Sequence, residues 1–304
     1  MSIQLIVEPR KVYNSWAEFR SQKPPYSIAL DGIVGSPTMR DPSGPYANFD
    51  HHTGVDRPST RSTSEQVAME INLGLFDTFR KDGVPCANIF VNDPDEDTGL
   101  AVWLLKNHEQ VMNHGSPAIN RLIRCEDLLD STAGAYPIGN TEMRRKMAWI
   151  FHPYNEARFH GRIGLMEEGE MRNIIESVER RIDGHLFKEG GEIALDGHYE
   201  RIGGGDGWVM TKETGPASRM AMYNDGIKAY VTLVAKKPND FYVYAWGKRS
   251  AWIPFNIDIE RLNEIEGEII TQDNRWGPSG KGATGRFAKI NGKQIIAERI
   301  RGRN

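Results

Sequence analysis

Ala87-Asn88-Ile89-Phe90-Val91-Asn92-Asp93-Pro94-Asp95-Glu96-Asp97 reads in three parts. Residues 87–92 form a short apolar run of the length of a buried strand, and an acidic loop follows it at once. From Glu96 to Asn107, Leu100, Trp103 and Leu104 fall at i, i+3 and i+4, one apolar face of a helix. Strand, acidic loop, helix is the arrangement in which open α/β sheets place their sites at the carboxyl ends of strands.

The same pattern spreads outward. Tyr26 to Asp31 reads as a second buried strand ending in an acid, and Asp50-His51-His52 closes another short apolar run. Thr63-Ser64-Glu65-Gln66 has the form of a capping box opening a helix through Val67, Ile71 and Leu75. Further helices are expected over 118–130, 143–151 and 166–186, the last with Met171, Ile174, Ile175, Val178 and Ile182 on one face. After Lys188-Glu189-Gly190-Gly191 the pattern turns to strands, at 199–202, 207–211, 230–235 and 241–246, with one helix over 257–265. Gly203-Gly204-Gly205-Asp206 reads as a tight connection between strands. The expected fold class is α/β: a largely parallel sheet with helices on both faces over residues 1–190, then a smaller α+β domain over 191–304.

A chain of 304 residues is long enough for two such cores. No apolar run has the length to cross a bilayer, and Met1 to Glu8 reads as a first strand without the basic lead of a signal peptide. Cys86 and Cys125 have no CxxC spacing, which speaks against a zinc knuckle or a disulfide framework and for a cytoplasmic setting. The net charge of -3 argues against a broadly basic nucleic-acid binder. Residues 273–304 are locally basic, a bias that would hold phosphate if it lined a groove and is otherwise a solvated terminus.

An acid in a first helical turn needs no special reason, because it favours the helix dipole. Asp31, Asp50, Asp95 and Asp97 together are different: carboxylates gathered at strand ends repel unless cations neutralise them. Hard divalent ions take carboxylate oxygens, and imidazole moves the preference toward Mn, Fe or Zn. Two ions about 3.5–4 Å apart would absorb the charge and activate a water for in-line attack on phosphorus. Arg57 and Arg61 follow closely enough to reach a bound phosphate, although a loop arginine is usually only solvated. His108, His114, His152 and His160 have no spaced partner and read as ordinary surface or core histidines.

Phe49-Asp50-His51-His52 resembles the signature of the DHH phosphoesterase superfamily. Asp93-Pro94-Asp95-Glu96-Asp97 resembles that family's aspartate-rich motif. Asp31-Gly32 ahead of the DHH segment is similar to the Myg-type exonuclease branch, and Asp127-Leu128-Leu129-Asp130 ahead of Gly134 resembles the fourth acidic motif. The resemblance implies a DHH-like catalytic domain over 1–190 and a DHH-associated substrate-binding domain over 191–304. It implies metal ligands at Asp31, His51, Asp95, Asp97 and Asp127, with Asp130 as the alternative to Asp127 and Asp31 the candidate bridge. His52 would touch the scissile phosphate or act as general acid, and Asp50 would orient the histidines or touch a metal from behind its ligands. Two Mn²⁺ or Mg²⁺ ions are expected. Trp276 to Arg286 resembles the family's glycine-rich loop, so Ser279, Lys281, Gly282 and Arg286 are expected to grip phosphate; Lys248-Arg249-Ser250 is a lesser candidate.

The aspartate-rich motif follows the DHH segment instead of preceding it, and no histidine stands before it, leaving Asp93 as the candidate replacement. The expected activity is metal-dependent hydrolysis of a phosphoester or phosphoanhydride in a small phosphate substrate or short nucleic acid. The alternative is a non-catalytic metal- or nucleotide-binding protein that has lost one metal site. No membrane partner is expected, and a homo-oligomer stays open.

Overall fold

The structure is a computed structural model that describes residues 3–112, 116–132, 134, 136–215, 217–236, 242–248 and 288–290. The helix expected over 257–265 and the glycine-rich loop with Ser279, Lys281, Gly282 and Arg286 lie outside the described residues, as do Arg249 and Ser250. By internal contacts the chain divides into two compact units, residues 1–131, 138–154 and 163–193, and residues 132–137, 155–162 and 194–304.

The first unit contains β1 (Gln4–Val7), α1 (Trp16–Gln22), β2 (Ser27–Leu30), β3 (Met39–Asp41), β4 (Tyr46–Phe49), α2 (Thr63–Asn72), α3 (Leu75–Thr78), the small hairpin β5 (Arg80–Lys81) and β6 (Val84–Pro85), and β7 (Asn88–Val91). It continues through α4 (Glu96–Lys106), α5 (His108–Met112), α6 (Pro117–Ser131) and α7 (Thr141–Ile150), and it includes α9 (Glu168–Phe187). Helix α8 (His152–Phe159) lies across the division. The sheet order is β1-β7-β2-β4-β3, with the first four strands mutually parallel and β3 antiparallel at the edge. The protein is thus mixed α/β with a mostly parallel central sheet.

Every residue of β2 and β4 is buried, as strands covered on both faces must be. Phe19 of α1 packs with Tyr13, Ala29, Ile33, Val34 and Phe90 on one face. Alternation places buried Ile28, Leu30, Ile89 and Val91 on the other. Helix α2 packs on α4 and β4, and α9 on α4 and β1.

One boundary shift matters for the site. Ser62, not Thr63, caps α2, its hydroxyl accepting from the Glu65 N–H at 3.3 Å. The cap moves back one residue, and the Thr63 side chain is released for another partner. The helix also ends at Asn72; Gly74, at φ 95°, turns the chain so that Leu75 opens α3.

In the second unit β8 (Tyr199–Gly205), β9 (Trp208–Glu213), α10 (Ser218–Asn224), β10 (Ala229–Lys236), β11 (Tyr242–Lys248) and β12 (Ala288–Ile290) form a sheet of order β12-β11-β10-β9-β8. Strands β9 and β10 are parallel and joined through α10, while the other neighbours are antiparallel. Gly203, Gly204 and Gly205 lie inside β8, and the turn follows at Asp206-Gly207, correcting the reading of those glycines as a connection. No described helix is long and apolar enough to cross a membrane.

Candidate functional site

The carboxyl ends of three adjacent parallel strands deliver the acidic and imidazole groups to one edge of the sheet. Asp31 follows β2, Asp50 follows β4, and the acidic loop follows β7. Asp31 takes a positive φ of 50° and Gly32 one of 83°, a turn that ends the strand abruptly. The Asp31 Oδ1 atom accepts from the Thr63 hydroxyl at 2.9 Å and lies 2.9 Å from His52 Nε2 and 3.4 Å from His51 Nε2. Thr98 of α4 reaches Asp31 Oδ2 at 3.5 Å.

Asp97 sits against the N-terminus of α2, where its two oxygens accept from the N–H groups of Thr63 at 2.6 Å and Ser64 at 2.8 Å. Backbone donors and the positive end of the helix hold this carboxylate in place. His51 Nε2 is 3.6 Å from Asp97 Oδ2 and 2.8 Å from Asp130 Oδ2. Two ligand-like groups result, Asp31-His51-His52 and His51-Asp97-Asp130, each with its donor atoms within 4.8 Å of one another. They share His51.

Arg57 completes the arrangement. Its side chain is fully buried, with Nη2 2.6 Å from Asp130 Oδ2 and 3.1 Å from His51 Nε2, and Nη1 3.1 Å from His52 Nδ1. A guanidinium has only donors. The contact to His52 therefore makes Nδ1 the acceptor and leaves the ring proton on Nε2, facing Asp31.

The electrostatics show strain. Burial, then the charges of Asp31 and Asp130, push the Asp97 carboxyl up to about 6. Burial and the neighbouring acids raise Asp95 and Glu126 well above the usual carboxylate range, and burial raises Asp50. Asp31 goes the other way: burial would raise it, but His52 and His51 hold it well below its ordinary value. Burial would lower His51, yet Asp130 and Asp31 together bring it up to about 10. Three buried polar atoms here, Asp50 Oδ1, His51 Nδ1 and Glu126 Oε2, have no hydrogen-bond partner.

Surplus carboxylates, imidazole and orphaned polar atoms are the features of a place that a cation would complete. Carboxylate and imidazole donors of this kind could hold a divalent ion. Comparison with family models, with curated proteins and with solved structures found no match to this chain. The likeness to DHH phosphoesterases rests on the motifs alone.

Of the residues singled out from sequence, Asp31, His51, His52 and Asp97 come together with Asp130. Asp50 stands beside them, its Oδ2 accepting from Thr53 N–H at 2.7 Å. Asp95 is used as the N-cap of α4, accepting from Thr98 N–H at 2.9 Å. Asp127 accepts from Ser62 N–H at 2.7 Å and pairs with Arg124 at 2.6 Å, outside both groups. Sequence reasoning read Thr63 only as part of a helix cap and gave no weight to Thr98 or Glu126. Thr63 had a signal in the Ser62-Thr63-Ser64 run, where a second hydroxyl beside the cap is spare; the others had none.

Proposed function

We propose that this chain is a divalent-metal-dependent phosphoesterase acting on a small phosphoester or phosphoanhydride, a nucleotide or a short oligonucleotide among the candidates. The observation that carries the reading is the pair of buried Asp/His groups sharing His51 at the carboxyl edge of a parallel sheet. Asp31 and His51, with Asp97 and Asp130, would hold the metal. Once bound, a divalent cation polarises a phosphoryl oxygen and makes water a better nucleophile at neutral pH.

The chain's own residues have separable tasks. The backbone N–H groups of α2 fix Asp97, and the Thr63 hydroxyl fixes Asp31. Arg57 sets the His52 tautomer, so that this ring holds its proton at Nε2, from which a leaving oxygen can be protonated. Asp50 is anchored through its backbone, whose carbonyl accepts from the Gln66 side chain at 3.1 Å and from the Thr38 hydroxyl at 3.0 Å. That anchoring keeps the adjoining histidines in register.

The test is turnover of bis-p-nitrophenyl phosphate by metal-free protein before and after Mn²⁺ is added. Hydrolysis that appears with Mn²⁺ and disappears in Asp31→Asn supports the reading. Turnover that persists in the presence of a strong chelator, or in the Asp31→Asn protein, contradicts it.

A further inference from the structure

Arg57 contacts both Asp/His groups, and it does so at the atom that they share. Its Nη2 lies 3.1 Å from His51 Nε2 and 2.6 Å from Asp130 Oδ2, and it reaches the Asp130 carbonyl at 3.2 Å. Its Nη1 meets His52 Nδ1 at 3.1 Å, while the other nitrogen of that ring faces Asp31 at 2.9 Å. His51 Nε2 is also the atom around which Asp31, Asp97 and Asp130 gather, at 3.4, 3.6 and 2.8 Å. An ion held by His51 together with these acids would coordinate through it.

We infer that Arg57 and a divalent ion compete for His51 Nε2 and Asp130 Oδ2, so that an ion enters either group only by turning the Nη2 arm of the guanidinium aside. Arg57 is then a latch that sets how tightly the ion is held. The inference rests on the metal-dependent reading above and concerns the affinity of that same site.

Three features support it. A guanidinium has donors and no acceptor, so it cannot join the ion's ligands; it can only stand in the ion's place. It keeps its charge at any accessible pH, so it cannot become neutral to admit a dication beside it, as a lysine can. The side chain is fully buried, and its root is fixed close to the histidines by a short 3₁₀ turn, Arg57–Ser59, closed by Thr60 N–H on the Arg57 carbonyl at 3.1 Å. The two arms have separate consequences. Nη1 bonds the His52 nitrogen that does not face Asp31, so this contact can stay while Nη2 gives way.

The experiment is calorimetric titration of chelator-treated wild type and Arg57→Gln with Mn²⁺. Arg57→Gln, similar in reach but neutral, should bind Mn²⁺ at least about tenfold more tightly, the worth of one charge-assisted hydrogen bond that no longer has to be broken. A residue that only positions the histidines gives the opposite sign, because its loss loosens the ligands. Equal or weaker binding by a folded Arg57→Gln protein therefore overturns the inference and leaves the proposed activity standing. If neither protein binds Mn²⁺, the inference falls together with the metal-dependent function. Should circular dichroism show Arg57→Gln unfolded, Arg57→Lys decides by the same sign, since its ammonium can give up a proton and withdraw. Tighter binding than the wild type upholds the inference, and equal or weaker binding overturns it.

Discussion

Both units bury charge, and they treat it in opposite ways. In the second unit Glu213, its side chain 1% exposed, lies 2.6 Å from Arg219 Nε and 3.5 Å from Arg158. The acid meets more positive charge than it carries, and the cluster ties α8 and α10 to β9. At the carboxyl edge of the first sheet, Asp31, Asp50, Asp97 and Asp130 face Arg57 and His51, with Asp95 and Glu126 pressing from nearby. A buried acid matched by arginines of its own unit is explained by the fold. A cluster with negative charge left over is accounted for, on the proposed reading, by the cation that it would bind.

The difference can be broken from either side. His51→Ala and Asp97→Ala should each reduce Mn²⁺-dependent phosphoester hydrolysis by more than about 100-fold, since even groups that only support metal ligands are worth about 10–100-fold. Steady-state kinetics on folded variants checks this. Glu213→Ala should strip the half-buried Arg219 of this carboxylate, costing about 3–5 kcal/mol of stability in denaturant unfolding. That loss should be the same with or without Mn²⁺.

The pH response sharpens the contrast. Asp97 titrates near 6 in the fold against an ordinary 3.8, so the folded state holds this proton more tightly than the unfolded chain does. Its contribution to stability is present below pH 3.8 and is lost as pH rises through about 6. In metal-free protein this amounts to on the order of 3 kcal/mol. Urea unfolding across that interval should show the decline, and Asp97→Asn should reduce it, the raised Asp50, Asp95 and Glu126 carboxyls contributing the rest. The smallest expected effect is at the helix that carries the site: Ser62→Ala removes the α2 cap and should cost about 1 kcal/mol, read in the same assay.

The acidic edge was legible because its chemistry and its placement coincide: acids at the ends of apolar runs can be found without a structure. The choice between Asp127 and Asp130 was not. They lie three residues apart on α6, and the phase of that helix sends Asp127 to the Ser62 N–H and Asp130 to His51. Arg57 was read only as a residue able to reach phosphate, since nothing local distinguishes a loop arginine that turns inward. Helix α1, with Phe19 its single buried residue, was too short to leave a periodic signal. The parallel strands around the site announced themselves because burial on both faces demands continuous apolar runs.

The most direct test of the central claim is calorimetric unfolding of metal-free protein with and without Mn²⁺, in the wild type and in His51→Ala. A ligand that completes the acidic edge should raise stability by about 2.7 kcal/mol at a free concentration of about 100 times Kd, with a matching rise in Tm that His51→Ala loses. An unchanged Tm in the wild type, or an equal rise in the variant, would contradict the account.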